Sequence, residues 1–447
     1  MKTEEYLFSN KDLKNLILPL IADQFLQSLV GLADSIMVSS VGEEAVSAVS
    51  LVDTVMLLLI NIFTAVATGG AVIAAQYLGK NKKGMACEAA GELLRFTVKA
   101  SVVITVLAYI GRNFIIQVVF GDIEPAVMRN CQIYMVIVFI SIPMIAVYNG
   151  GTAIFRAMGD SAIAMKTSLM MNAVNITGNA LLVYGLHRGI EGVAIPTVVS
   201  RGLACVVILY FLNIQQNAIH IPRPFRWKTD RGLLKKILYI GIPNGLENSM
   251  FQLGKILVLS VVAGFGTASI AANAVSNNIA TFCLLPGMAM SYALLTVAAR
   301  CIGAGKFDQA AYYTKKFMIF SYISLIAANI IVHLLLPFIL KNYGLSEEAR
   351  KYAYEILIFY SFCVVTIWPP SFLIPNTLRA AADVRFTMIL SIISMWIFRI
   401  GFSVVLGIYL HMGVLGVWGA MAVDWLFRGI CFIWRYAGGR WRRNTII

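Results

Sequence analysis

The chain has 447 residues, 59% of them hydrophobic and 13% charged, with a formal net charge of +14. Soluble domains run near 25% charged, and a mean hydropathy of +0.79 leaves more apolar side chain than one soluble core can hold, which excludes a soluble globular protein. The basic excess does not require nucleic acid, because Lys and Arg follow a membrane-topology pattern.

Taken in chain order, apolar runs long enough to cross a bilayer predict twelve spans: 15–38, 46–77, 90–111, 130–152, 164–184, 192–213, 237–263, 268–299, 317–340, 352–376, 387–410 and 414–436. The first is preceded by "MKTEEYLFSNKDLKN", which is polar and acidic, and it is too long for the apolar core of a signal peptide, so no cleavable leader is expected. Pro19, close to the expected helix start, reads as a first-turn proline.

Basic residues gather in alternate connections: Lys2, Lys11, Lys14; Lys80, Lys82, Lys83; Arg156, Lys166; Arg223, Arg226, Lys228, Arg231, Lys235, Lys236; Arg300, Lys306, Lys315, Lys316; Arg379, Arg385; and Arg435, Arg440, Arg442, Arg443. The opposite side holds Arg112, Arg129, Arg188, Lys341, Arg350 and Lys351. The positive-inside rule therefore predicts a multi-pass protein of the cell (plasma) membrane with both termini cytoplasmic. The stretch 435–444 suits contact with anionic membrane lipid. Seven cysteines lie scattered without a C-x-x-C pair and read as small buried apolar residues.

Residues 214–236 form the one long polar connection, a predicted cytoplasmic linker between an N-terminal six-helix lobe, 1–213, and a C-terminal six-helix lobe, 237–447. The halves share a pattern. A shift of 224 positions brings Pro19 onto Pro243, Val38 onto Val262, Gly42 onto Gly266, Ala48 onto Ala272, Ala74 and Ala75 onto Ala298 and Ala299, and Gly79 onto Gly303. It also brings His187, Gly189, Gly192 and Val193 onto His411, Gly413, Gly416 and Val417. Between these blocks the register slips by one, so "RAMGD" at 156–160 faces "RAAAD" at 379–383. The fold predicted is an all-α polytopic membrane protein, twelve transmembrane helices in two six-helix lobes related by a parallel internal repeat. Such lobes enclose a cleft and favour alternating-access transport.

A charge at mid-bilayer costs about 2.5–3.5 kcal/mol on insertion scales and faces an interior or a cavity. Asp23 and Asp34 stand eleven residues apart, nearly three helical turns, so both share one face with Gln27 and Gly31. Asp53, near the outer end of the second span, reads as solvated or capping. Glu92, Arg95 and Lys99 lie at a cytoplasmic end and can snorkel. Glu247 follows Pro243 as Asp23 follows Pro19, and Lys255, Arg399 and Asp424 complete a charge network for which pairing of Arg399 with Asp424 is the cheaper state. In "NAVNITGN", 172–179, Asn175 and Asn179 stack on one face. Met250, Phe251, Tyr292 and Trp368 read mainly as core or lipid-facing residues.

The segments "LPLIADQFLQSLVGLADSIMVSSVG", "VSAVSLVDTVMLLLINIFTAVATGGAVIAAQYLGK", "FRAMGDS" and "GIPNGLENSMFQLGKILV" give the chain its resemblance to the multidrug and toxic compound extrusion (MATE) family over nearly its whole length. The resemblance implies V-shaped six-helix lobes and antiport export of organic, often cationic, small molecules, driven by proton or sodium entry. It places the coupling-cation position on Asp34, the fifth-span polar pair on Asn175 and Asn179, and the sixth-span threonine on Thr197. The second of that pair is commonly an acid in the family. With Asn179 here, one carboxylate remains and the proton is favoured over sodium, although sodium at Asp34 stays open. No other cofactor and no catalytic residue is expected, and a monomer is.

On this reading Asp34 alternates between protonated and ionised states. A proton entering down about 150 mV yields roughly 3.5 kcal/mol, and a hundredfold substrate gradient costs about 2.8 kcal/mol, so one ion per cycle suffices for a neutral substrate. A lipid-linked oligosaccharide flippase of related lobe plan is the alternative, and it would need a strongly basic cleft. A membrane enzyme is disfavoured by the absence of G-x-S-x-G, H-E-x-x-H and P-loop motifs.

Overall fold

The computed structural model describes residues 6–116, 124–222, 227–443 and 446–447, with only the backbone of Leu32. Lys2, Arg223 and Arg226 of the basic pattern, and Asn444 at the end of the 435–444 stretch, lie outside the described residues.

Among the described residues twelve long helical elements follow one another: α1 Asn10–Ser39, α2 Glu43–Gly79, α3 Lys83–Ile110, α4 Pro125–Met158, α5 Ser161–Asn179, α6 Glu191–Leu212, α7 Arg231–Ala263, α8 Thr267–Gly303, α9 Phe307–Asn342, α10 Glu347–Thr366 continued by Trp368–Ala380, α11 Val384–Tyr409 and α12 Gly413–Ala437. Ten are long and apolar enough to cross a bilayer, and α10 joins them if its two arms count as one span. The exception is α5, whose three asparagines dilute its hydropathy. The outward faces are apolar: along α9, Ile323, Leu334 and Phe338 are 62%, 77% and 70% exposed, a surface made for lipid.

Inside a membrane, helices gain little from apolar burial and associate by close packing of small residues. The repeat-matched alanines serve that role, since Ala48 and Ala272, and Ala74–Ala75 and Ala298–Ala299, are all buried. Turns match as well. Left-handed backbone occurs at Gly42 and Gly266, Asn81 and Gly305, Gly159 and Ala382, and His187 and His411. Each pair is separated by 224 positions, or by 223 for Gly159 and Ala382.

A further difference locates the register slip. In α5 one π-helical turn, Ala180–Gly185, follows Asn179, and its counterpart in α11 is Val405–Tyr409. Only α11 has a second π-helical stretch, Met395–Gly401. A π turn closes i→i+5 and holds one residue more than an α turn. That residue explains why the offset is 223 at Asp160/Asp383 and 224 at His187/His411.

By compactness the chain divides into Lys14–Gly245, and Leu246–Ile447 with the N-terminal segment up to Leu13. The division cuts α1 and α7 rather than following the linker. In the first unit, Gly69 of α2 and Gly241 of α7 let two backbones touch: a Cβ on Gly69 would stand 2.9 Å from Gly241 N. In the second unit, Phe8 exchanges hydrogen bonds with the Tyr313 hydroxyl, donating its N–H over 3.1 Å and accepting over 2.7 Å.

Several local expectations change. Helix α1 starts at Asn10, so Pro19 is internal rather than in the first turn, and Asn15 C=O loses its i+4 donor there. Glu92 and Arg95 do not snorkel: they are buried and paired at 2.9 Å, and Glu92 also accepts from Asp230 N–H at 3.1 Å. Lys99 donates to Trp227 O and Thr229 Oγ1, so α3 holds the end of the linker. Arg379 belongs to α10 rather than to an aqueous connection. The 66° bend of α10 falls before Trp368, where Pro369 and Pro370 lack N–H groups to carry the ladder through. Trp368 is buried there, stacked on Phe372.

Candidate functional site

The first unit gathers its ionisable groups around α1 and α5. Asp160 caps α5, accepting from Ala162 and Ile163 N–H. Near the far end Gly178 packs on α6, where a Cβ would lie 2.7 Å from Pro196 Cβ. This close approach sets the asparagines against α6. Asn175 Nδ2 donates to Thr197 Oγ1 at 3.2 Å, and Thr197 donates to Val193 O at 2.9 Å. Asn179 Nδ2 donates to Asn175 Oδ1 at 3.3 Å and to Asp34 Oδ1 at 2.5 Å. The four residues that the resemblance implied are thus one hydrogen-bonded chain across α1, α5 and α6. Asn179 is fully buried and its Oδ1 has no hydrogen-bond partner, which leaves an oxygen lone pair beside the carboxylate. Asn172 is not part of the chain.

Sequence reading did not join Asp53 and Arg201 to this cluster. Asp53 is neither solvated nor a cap: it lies three turns inside α2, half-buried, 3.5 Å from the Tyr134 hydroxyl of α4. Arg201 of α6 donates to Ser141 Oγ at 2.8 Å, and its charge acts on both Asp53 and Asp34. Among the described residues Asp34 itself has no ion pair within 4.0 Å, so its carboxylate is not locked to a guanidinium there. The available signal was charge balance: Arg201 is the lone base within α6, in a half whose spans carry Asp34 and Asp53. Among the described residues, no three His, Cys, Asp or Glu side chains converge as metal ligands.

Asp23 stands apart from Asp34. It is buried, accepts from Gln27 Nε2 at 3.0 Å, and lies near Ser168 of α5 and the charge of Arg156. The eleven-residue step from Asp23 to Asp34 on α1 repeats from Ser168 to Asn179 on α5, so the two helices meet at two polar levels.

In the second unit, Glu247 is held by Arg379, whose Nη2 bridges both carboxylate oxygens at 2.8 Å, with Arg428 Nη2 at 3.7 Å. Arg428 is buried, its guanidinium over the rings of Phe372 (4.8 Å) and Phe251 (5.3 Å). Asp424 is fully buried, hydrogen-bonded by the Ser394 hydroxyl, and 4.0 Å from Arg399 Nη1. Among the described residues Lys255 has neither hydrogen bond nor ion pair, and the like charge of Arg399 acts on it. Arg379 and Arg428 were not among the expected site residues, because the bend that turns Arg379 inward is a tertiary feature.

Matched helices, matched turns and a charged cluster inside each unit define a polytopic membrane transporter built by duplication. The chain belongs to the MatE family, whose model matches residues 19–181 and again 243–405, both limits offset by 224. It is 26% identical to the uncharacterized transporter YisQ of Bacillus subtilis, covering 95% of this chain and 93% of that protein. It is also 26% identical to the probable multidrug resistance protein YoeA of the same organism, covering 96% and 94%. The fold is shared with a solved multidrug resistance MATE family transporter in an outward-facing conformation, at TM-score 0.91, 21% identity and 97% coverage of each chain.

Proposed function

We propose that this protein is a multidrug exporter of the cell membrane, both termini cytoplasmic, working as a monomer by alternating access. It exchanges an amphipathic organic compound for a cation that enters at Asp34, with the proton preferred to sodium. The observation that carries this reading is the hydrogen-bonded chain Asp34–Asn179–Asn175–Thr197 within a transporter fold. Asp34 is the carboxylate that gains and sheds the cation. Asn179 orients it with a donor, which suits the ionised state, and the charge of Arg201 balances the carboxylate when the cation leaves. Sodium binding would call on several oxygen ligands, whereas both asparagines turn amide N–H groups along the chain and leave Asn179 Oδ1 as the spare acceptor.

The test is transport in proteoliposomes with imposed pH or sodium gradients, comparing wild type with Asp34→Asn. A pH gradient is expected to drive export in wild type and to drive none in the variant. Export driven by sodium alone would overturn the proton assignment, and undiminished export by Asp34→Asn would remove Asp34 from the mechanism.

A further inference from the structure

We infer that the second unit holds a subsite for an anionic group of the transported compound, formed by Lys255 of α7 and Arg399 of α11. The resemblance alone implied cationic substrates; the charges here point the other way. This deepens the export reading above by naming a substrate class.

Three observations converge. The first is orientation. Glu247, Phe251 and Lys255 follow one another at four-residue steps, so they share a face of α7. Glu247 and Phe251 both meet Arg428 of α12, which directs that face inward. Beside Lys255, Gly254 packs directly on Met395 of α11, and Arg399 lies one turn beyond Met395. The approach at Gly254 brings Lys255 beside the helix that carries Arg399, close enough for the two charges to act on each other.

The second is charge. Glu247 is saturated by Arg379 and Arg428. Asp424 alone offsets Arg399, at a loose 4.0 Å, and it is already hydrogen-bonded by Ser394. Among the described residues the Arg399 guanidinium makes no hydrogen bond, and Lys255 has no counter-ion. Two neighbouring cations, with guanidinium and ammonium donors unused, match a carboxylate, sulfonate or phosphate oxygen pair. Lys255 is exposed and the Arg399 side chain retains 16% exposure, so the donors are reachable.

The third is the repeat. Lys255 occupies the position of Gly31, on the Asp34 face of α1, and Arg399 stands at the level of Asn175, within the π stretch peculiar to α11. Where the first unit presents a carboxylate and amides to a cation, the second presents a guanidinium at the Asn175 position and an ammonium about one turn from the position of Asp34. Its occupant has the opposite sign.

The test uses the purified full chain in phosphatidylcholine nanodiscs and three probes of one shape: naphthalene-2-sulfonate, naphthalene-2-sulfonamide and 2-naphthylmethylammonium. Binding is read by calorimetry against discs lacking protein. The sulfonate is expected to bind at least tenfold more tightly than either other probe. Lys255→Gln and Arg399→Gln are each expected to weaken the sulfonate about tenfold and leave the sulfonamide unchanged, with Arg399→Lys restoring part of the loss. Thermal melts identify any variant that misfolds, and Lys255→Gln, at an exposed position, stands in for it. Tighter binding of the ammonium probe, or sulfonate affinity indifferent to both substitutions, would overturn the proposal. A second arm adds phosphatidylglycerol to the discs. Sulfonate binding that disappears there would give the site to a lipid phosphate and overturn the substrate assignment; binding that persists supports it. No ion gradient is used, so a failure of coupling through Asp34 leaves this result readable.

Discussion

Asn179 Nδ2 donates to Asp34 Oδ1 across 2.5 Å and so ties the fifth helix to the first at the one polar level that also reaches α6. A hydrogen bond to a charged group contributes about 1.5–3 kcal/mol. Asn179→Ala is therefore expected to slow gradient-driven export at least tenfold while leaving the protein folded. Asn179→Asp restores a second carboxylate beside Asp34, and sodium-gradient-driven export is expected to appear in that variant. Measuring both gradients in proteoliposomes checks the pair; an Asn179→Asp protein deaf to sodium would show that carboxylate count does not choose the ion.

Gly178 sets the spacing between α5 and α6. The rigid Pro196 ring cannot give way to a Cβ placed 2.7 Å from it, and overpacking of this kind costs about 1–3 kcal/mol. Gly178→Ala is expected to lower the melting temperature by a few degrees and to cut export more than the stability loss explains, because Asn175 and Thr197 are drawn apart. A melt and a transport assay on the same preparation distinguish the two effects.

The buried Glu247–Arg379 pair is a structural clamp between α7 and the second arm of α10. Leaving one buried charge without its partner costs about 3–5 kcal/mol. Glu247→Gln and Arg379→Gln should each lower thermal stability by that order. The double variant is expected to recover part of it, which a double-mutant cycle in detergent would measure.

Substrate charge also fixes how export responds to voltage. A monovalent cation leaving for an entering proton moves no net charge, whereas a monoanion leaving for a proton moves two, worth about 4.6 kcal/mol at 100 mV. With potentials clamped by valinomycin and potassium, export of an anionic compound is expected to rise with an inside-negative potential at constant pH gradient. Export indifferent to voltage would contradict one-for-one exchange of an anion.

Element positions were legible because long apolar runs carry them: the span expected at 414–436 is the helix Gly413–Ala437, and that at 46–77 is Glu43–Gly79. Asp34, Asn175, Asn179 and Thr197 could be named from a resemblance, yet their joining depends on Gly178 packing on Pro196, which no spacing reveals. Asp53 misled because distance from a connection in sequence says little about exposure when α4 covers it with Tyr134. The bend in α10 was foreshadowed by Pro369 and Pro370, but the inward turn of Arg379 follows from the angle, which is tertiary.

The supernumerary residue in the Met395–Gly401 stretch is absorbed where it stands. The wider turn takes up the extra length, so the helix beyond keeps its phase and the turn at His411 still matches that at His187. Deleting one residue inside that stretch would be expected to iron out the bulge and leave both ends of α11 on their bearings, whereas deleting one from an ordinary turn of the same helix would swing its outer end by about 100°.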